Sequence, residues 1–523
     1  MQVTESDHSV DEKELGSGAQ TPNSHCTDHM YKSEDNLPTM SDGFDANGRP
    51  IADTEPKVDA SSLRPTLTRI ITGRSVASSW KDPGPPPDGG VTAWTQAVMA
   101  HIVISNTWGY MSSYGVFQAY YVTALGRSPS DISWVGSVQM FLVFLIGTFS
   151  GRALDYGLFR PIFVTGFCLH LLGMFMTSLC TQYWQLFLAQ GLCTGIGSGL
   201  MFCPTMSLLS TYFSKKRALA IGIAASGSCT GGLIYPVIVQ QLLPRIGFGW
   251  TVRVLGFFTL GLGIPTVVFL KSRLPPRKSG PLVEFSAFKE LTYTLFLVGM
   301  FLNFWGLFFA FYYVCRCLFL LPSLLPFLLP LPFRLHGPSP HSLLSQTPTH
   351  TPQVSAYGRD IIGFTYTDSI TLLLIMNGVG LIGRILPNHL SDRFFGPLNT
   401  IIPFAFASGI LLFGWAGVTS RGGLYAFAVV YGLSSAGMQG LFPAALSSLT
   451  TDLRRQGVRM GMGFSIVSVA CLTGPPLAGA LIQRNGGSYL YAQMWAGAVL
   501  ICGGCTLCAA RTAKVGFTLW TKV

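Results

Sequence analysis

The sequence predicts an all-α integral membrane protein of twelve transmembrane helices, arranged as two pseudo-symmetric six-helix bundles. Three observations predict it: an apolar and weakly charged composition, twelve apolar runs long enough to cross a bilayer, and two charged motifs that recur in the second half of the chain at a nearly constant offset.

Of the 523 residues 49% are hydrophobic and 11% charged, with a mean hydropathy of +0.44, whereas a soluble domain carries about 25% charged residues. Residues 1–60 hold 13 of the 23 acidic side chains and 4 basic ones, so the net charge of +11 belongs to the rest. There the Lys and Arg residues stand in short clusters between apolar runs, without a basic helix or an aromatic-interleaved groove, which argues against a nucleic-acid partner. Residues 1–85 are rich in Ser, Asp, Thr and Gly and cannot bury enough apolar surface to offset their chain entropy; a disordered tail on the cytoplasmic side is expected. No apolar h-region follows the N-terminus, so no cleaved signal is expected. HExxH, GxSxG and Walker sequences are missing, which argues against an enzyme and against a bound cofactor. Cys502, Cys505 and Cys508 form a CxxCxxC pattern, but within an apolar run and away from charge, so packing is expected there and no metal site.

A spanning helix needs roughly 20 mostly apolar residues. Such segments lie at 94–117, 132–150, 161–181, 184–208, 218–243 and 250–270, and again at 293–314, 369–387, 398–418, 423–447, 459–482 and 491–510. With both termini in the cytoplasm, 21 Lys and Arg residues fall inside and 8 outside, as the positive-inside rule requires.

The stretch YFSKKRALAIGIAASGSCTGGLIYP, after the fourth segment, recurs as TDLRRQGVRMGMGFSIVSVACLTGPP after the tenth, with an offset of 239 that places Lys215 on Arg454, Gly222 on Gly461 and Pro236 on Pro475. GRALDYGLFRP, after the second, matches PNHLSDRFFGP, after the eighth, placing Asp155 on Asp392 at an offset of 237. The division expected is a tail (1–85), a first bundle (86–272), a cytoplasmic linker (273–292), a seventh helix (293–313), an anomalous insertion (314–353), the rest of the second bundle (354–512) and a C-terminal tail (513–523). Parallel halves that repeat charged turns on one side suit a rocking carrier. Asp155 and Asp392, with Lys215, Lys216, Arg217 and Arg393 nearby, are candidates for latches that hold those ends together.

Two motifs carry a resemblance. Asp88, Gly89, Gly90 and Trp94 in PPPDGGVTAW precede the first segment, and YFSKKRALAIGIAASG opens the fifth. Over roughly residues 85–515 the chain resembles the major facilitator superfamily, and within it the fungal branch of the monocarboxylate transporter family. The resemblance implies alternating-access transport of a small organic solute, with a monocarboxylate-like anion as the expected cargo. It also places the family's substrate-binding arginine at Arg384.

Residues 314–353 interrupt the pattern. Leu318–Phe333 holds Pro322, Pro326, Pro330 and Pro332, too short and too broken to span. Its Leu, Pro, Ser and Phe can be written in pyrimidine-rich codons, Val314-Cys315 can be GTATGT and Gln353 can be CAG, so an in-frame retained intron of forty codons is a candidate explanation; the alternative is a lineage-specific outer loop. Removing it joins FAFYY to VSAYGRD, and transcript sequencing across that junction separates the two.

Within the twelve segments Arg384 is the one clearly embedded formal charge, eight residues before Asp392 and so about 12 Å deeper in the membrane. A guanidinium there is costly and offers a planar fork to a carboxylate; the competing reading is an arginine that snorkels to the surface. Asn377, Ser112, Tyr110, Gln139, Asn303 and Gln439 are further candidates for lining a substrate cavity. Where proton-coupled relatives of the family carry a Lys in the first helix and an Asp four residues before the Arg, this chain has Ser112 and Gly380. His101 and His170 remain as embedded proton-exchanging groups, each a better candidate for packing, and proton coupling stays open. The partners expected are a small-molecule solute and the bilayer, with any accessory subunit undetermined. The plasma membrane is the expected location and the vacuolar membrane the alternative. A nutrient sensor that has lost transport, or a carrier of a non-carboxylate metabolite, are the competing functions.

Overall fold

Twelve apolar runs in a bilayer must satisfy every backbone polar group internally, which leaves the helix as their only open-ended solution. The computed structural model describes residues 84–127, 129–277, 280–315, 366–486, 488–518 and 521–522, and among these there is no strand. The predicted tail, apart from its last two residues, and the insertion from 316 onward lie outside the described residues, as do residues 354–365.

Helix α1 consists of Gly90–Ser112 and Tyr114–Leu125, α2 of Pro129–Leu145 and Gly147–Asp155, and α3 is Phe159–Thr177. Helix α4 runs through Tyr183–Leu186, a π-turn at Phe187–Cys193 and Thr194–Tyr212. Helices α5 and α6 form one run, Arg217–Phe269, divided at Gly247, whose φ of 74° breaks the helical path. The sequence suggested a loop of several residues there; one residue in a conformation that glycine adopts without steric cost suffices. The second half holds α7 (Leu291–Cys315), α8 (Tyr366–Leu390, extended by a π-turn at Ser391–Phe395), α9 (Pro397–Trp415), α10 (Arg421–Ser448), α11 (Gln456–Arg484) and α12 (Leu490–Val515).

Nine described stretches are long and apolar enough to cross a membrane, the α5–α6 run counting among them as one. The two helices not among these, α1 and α10, owe their lower hydropathy to residues such as Gln96, Asn106, Ser112, Ser434 and Gln439. Both helices line the cavity described below.

Helix α1 packs along α5, α3 along α4, α7 along α12 and α8 along α10. Between the halves the principal seams are α2 with α11 and α8 with α5. Exchanging first half for second turns one seam into the other, as a pseudo-twofold arrangement demands. In α12 the packed positions are Leu500, Gly503, Gly504 and Leu507, whereas Cys502 and Cys505 lie exposed on its outer face. The packing role expected for those two cysteines is therefore corrected: at a spacing of three they share the side that faces away from the bundle.

Candidate functional site

Arg384 stands one turn above Asn388 and two above Asp392, all on α8. At the same offset of 237 residues, α2 carries Gly147, Gly151 and Asp155. These two triads form the two seams. The Asp155 carboxylate accepts hydrogen bonds from the amides of Gly457 (2.9 Å) and Val458 (2.8 Å), at the start of α11. The Asp392 carboxylate accepts from Ala218 (3.0 Å) and Leu219 (2.7 Å), at the start of α5. Each aspartate thus caps the helix N-terminus of the opposite half, where free amides and the helix dipole favour an anion.

Above the caps the backbones nearly touch. A Cβ on Gly151 would lie 2.1 Å from the Gly457 carbonyl oxygen, and one on Gly461 2.2 Å from that of Gly147. On the second seam a Cβ on Gly222 would lie 2.6 Å from the Arg384 carbonyl oxygen. Gly151→Val should therefore wedge the α2–α11 seam apart. Overpacking of this kind costs about 1–3 kcal/mol, and the expected result is about tenfold or faster hydrogen–deuterium exchange in the peptide spanning residues 455–462.

Farther along the molecular axis is a cavity of about 140 Å³. Its wall comprises Trp108, Met111, Ser112, Tyr114 and Gly115 from α1, Gly136 and Met140 from α2, Ser228 from α5, Phe308 from α7, Leu373, Asn377 and Arg384 from α8, and Gln439 from α10. Arg384 reaches across the seam: Nη1 donates to the Ala225 carbonyl of α5 (3.0 Å) and Nη2 to Oε1 of Gln439 (2.9 Å). The buried Nε of Arg384, Nε2 of Gln439 and Nε1 of Trp108 have no acceptor. No acidic residue belongs to the wall. The site is therefore rich in donors and carries one cation without a carboxylate partner among the described residues.

Of the candidates named from sequence, Arg384, Asn377, Ser112 and Gln439 come together here. Asn377 and Ser112 bond to carbonyls of their own helices, Leu373 (3.0 Å) and Trp108 (2.8 Å). Tyr110, Gln139 and Asn303 are not among the residues of the wall, since consecutive helical residues are turned by about 100° and a neighbour of a wall residue can face elsewhere. On α1 the wall runs through 108, 111, 112, 114 and 115, whereas Tyr110 is fully buried in the first bundle, its ring edge-on to His170 at 6.0 Å. Gln139 neighbours the wall residue Met140 but is fully buried beside α4. Asn303 bonds to Gly299 (2.8 Å) and faces Gly503 of α12. His101 and His170 both hydrogen-bond, to the Ile223 carbonyl (2.8 Å) and to the Ser198 hydroxyl (3.0 Å).

The motif residues assemble on the side of the two caps. Asp88, at φ 51°, accepts from the amides of Ser214 and Lys215 (2.7 Å for the latter), and Trp94 packs on Phe213 at 5.1 Å. Gly90 takes a positive φ of 77° beside Gly89, so the motif turns the chain into α1 against the α4–α5 loop. Arg217 donates to the carbonyls of Phe213 (3.0 Å) and, in the other half, Ser447 (3.4 Å). The side chains of Lys215, Lys216 and Arg393 are exposed, Arg393 lying over the Phe394 ring at 5.2 Å. None of these three bridges the halves through its charge; the connection is made by carboxylate and amide instead.

Sequence reasoning missed the floor of the cavity. Phe144 and Phe202 of the first half meet Phe304, Phe442 and Phe464 of the second, with Phe144 stacked on Phe464 at 5.5 Å and Phe202 edge-on to Phe464 at 5.0 Å. Phe442 lies against both Phe304 (5.2 Å) and Phe464 (5.3 Å). The cluster lies directly beneath Arg384, between the cavity and the capped ends. Single phenylalanines in apolar helices carry no sequence signal; helical phase from Gln439 (three residues to Phe442) was the available clue.

Comparison with known proteins agrees with this geometry. The profile of the Major Facilitator Superfamily matches residues 99–451. An MFS-type transporter of Gibberella zeae is 44% identical over 451 residues, covering 86% of this chain and 92% of the relative. The aspyridones efflux protein apdF of Emericella nidulans is 35% identical over 424 residues, covering 80% and 78%. Among solved structures, the human organic anion transporter MFSD10 aligns with a TM-score of 0.60 at 12% identity, over 80% of this chain and 100% of that one. A second, the transporter FucP in the outward conformation, aligns with a TM-score of 0.56 at 12% identity, over 80% and 98%. Two pseudo-symmetric bundles of spanning helices around a central cavity, together with these matches, place the chain: it belongs to the major facilitator superfamily and is a multi-pass membrane transporter.

Proposed function

We propose that the chain exports small organic anions, monocarboxylate-like in their head group and apolar in their body, by alternating access between its two bundles. The observation that carries this reading is Arg384: a guanidinium in an acid-free wall, with donors of Gln439 and Trp108 beside it and Trp108, Met111, Met140, Phe308 and Leu373 completing the surface. An uncompensated cation at this depth is costly, and an entering anion removes part of that cost. The apolar side chains accept the rest of the solute. The motifs PPPDGGVTAW and YFSKKRALAIGIAASG support assignment to the fungal monocarboxylate transporter-like branch. The name of the Emericella relative supports the outward direction.

In the mechanism, the capped side is cytoplasmic, as are both termini, and the membrane is the plasma membrane. The described conformation has the cytoplasmic side shut by Asp155, Asp392 and the phenylalanine floor. A carboxylate on Arg384 competes with the Ala225 carbonyl for Nη1. Occupancy therefore weakens one bond across the α5–α8 seam, which links binding to opening.

Flux of labelled monocarboxylates and of larger aromatic acids in proteoliposomes tests the reading: saturable flux supports a carrier, and binding without flux supports a sensor. Gln439→Glu should place a carboxylate on Nη2 of Arg384 and satisfy the cation internally. The expected result is a rise of about tenfold or more in KM for anionic solutes; an unchanged KM would remove Arg384 from recognition.

A further inference from the structure

The segment joining the two halves has two faces. Toward the protein, Ala287 is fully buried and Glu284 is 4% exposed. The Glu284 carboxylate pairs with Arg455 and with Nε of Arg459 (3.4 Å), and Arg459 also pairs with Glu290. Burial alone would raise the Glu284 carboxyl, but the two arginines outweigh it and hold its pKa below the ordinary value, so the clamp stays charged at neutral pH. Arg455 and Arg459 flank Gly457 and Val458, the two amides that cap onto Asp155.

Away from the protein, Leu282, Phe285, Phe288 and Leu291 are 43%, 74%, 37% and 63% exposed. They recur every three residues; the 3₁₀ turn at Phe285–Lys289, with three residues per turn, puts Phe285 and Phe288 on one edge, with Leu282 just before the turn and Leu291 just after it. The stripe does not stop at the segment. Leu291 is the first residue of α7, and the exposed face of that helix continues to Val298. The Thr294 hydroxyl donates to the Phe288 carbonyl (2.7 Å), tying the turn onto the start of α7. Four large apolar side chains in ten residues form a patch that water covers poorly. Its continuity with the lipid-facing side of a spanning helix identifies the occupant, and the exposed Lys289 beside it suits anionic headgroups.

We propose that residues 282–291 form an interfacial element docked in the bilayer leaflet on the side of Asp155, with the Leu282–Phe285–Phe288–Leu291 stripe at the boundary of headgroups and acyl chains. Its Glu284 face holds the arginines at the N-terminus of α11. The α2–α11 seam is thereby tied to the membrane surface as well as to the opposite bundle.

The test uses the full chain in liposomes of phosphatidylcholine and phosphatidylserine, and is independent of the solute carried. An environment-sensitive fluorescent amino acid is introduced at position 285 and, as the aqueous comparison, at position 286. At 285 the expected emission is blue-shifted, quenched severalfold by brominated acyl chains and little by iodide; at 286 the order is reversed. Quenching at 285 by iodide alone would overturn the proposal, and so would shielding from both quenchers, which would place a protein on the stripe. Should the substituted chains misfold, the unmodified protein is cross-linked with diazirine-acyl phospholipid. Adducts on the peptide covering 281–290 are expected, and adducts on α7 but not on that peptide would overturn the proposal equally.

Discussion

Arg384→Ala should lower kcat/KM for anionic solutes by on the order of 10²–10⁴, the largest effect expected of any single substitution. The reason is the loss of two charge-assisted hydrogen bonds, each worth about 1.5–3 kcal/mol, with tenfold in rate for every 1.4 kcal/mol. Arg384→Lys keeps the charge but not the planar fork, and should lie between, about tenfold below the parent. Flux in proteoliposomes at several concentrations checks both. A parent-like KM in the Ala variant would show that the guanidinium serves the α5–α8 seam through Ala225 and does not recognise the solute.

The second large effect is expected from Asp155→Ala and Asp392→Ala. Each carboxylate accepts two amides of the opposite half, at 2.7–3.0 Å, on a helix N-terminus. Allowing for partial exposure, about 2–4 kcal/mol per cap is involved, which moves the equilibrium between closed and open forms by roughly 30-fold to 10³-fold. Because both caps act on one rigid closure, either variant should accelerate hydrogen exchange at both sites, in the peptides covering 217–222 and 455–462. Acceleration confined to the mutated seam would mean that the seams open separately, contrary to a rocking pair of bundles.

Much of this arrangement was legible in advance, and the reasons are physical. Spanning helices announce themselves because the bilayer tolerates few polar residues over some twenty positions. The duplicated charged turns, Asp155 with Asp392 and Lys215 with Arg454, revealed the pseudo-symmetry because charge is scarce elsewhere. Arg384 stood out for the same reason. The choice among Tyr110, Ser112, Gln139 and Asn303 was not legible, since every one of them is a polar residue in an apolar helix and only rotation about the helix axis decides which faces the cavity. Nor was the break at Gly247 visible, because one glycine among many carries no mark of the conformation it will take.

The five phenylalanines under Arg384 bear on what the protein must not do. A vestibule shut by charged groups alone would retain water between them and offer a path for protons. Aromatic rings in contact across the dyad, Phe144 and Phe202 against Phe464 and Phe144 against Phe304, put apolar surface there instead, which raises the cost of a file of water or an ion passing between the halves in this conformation.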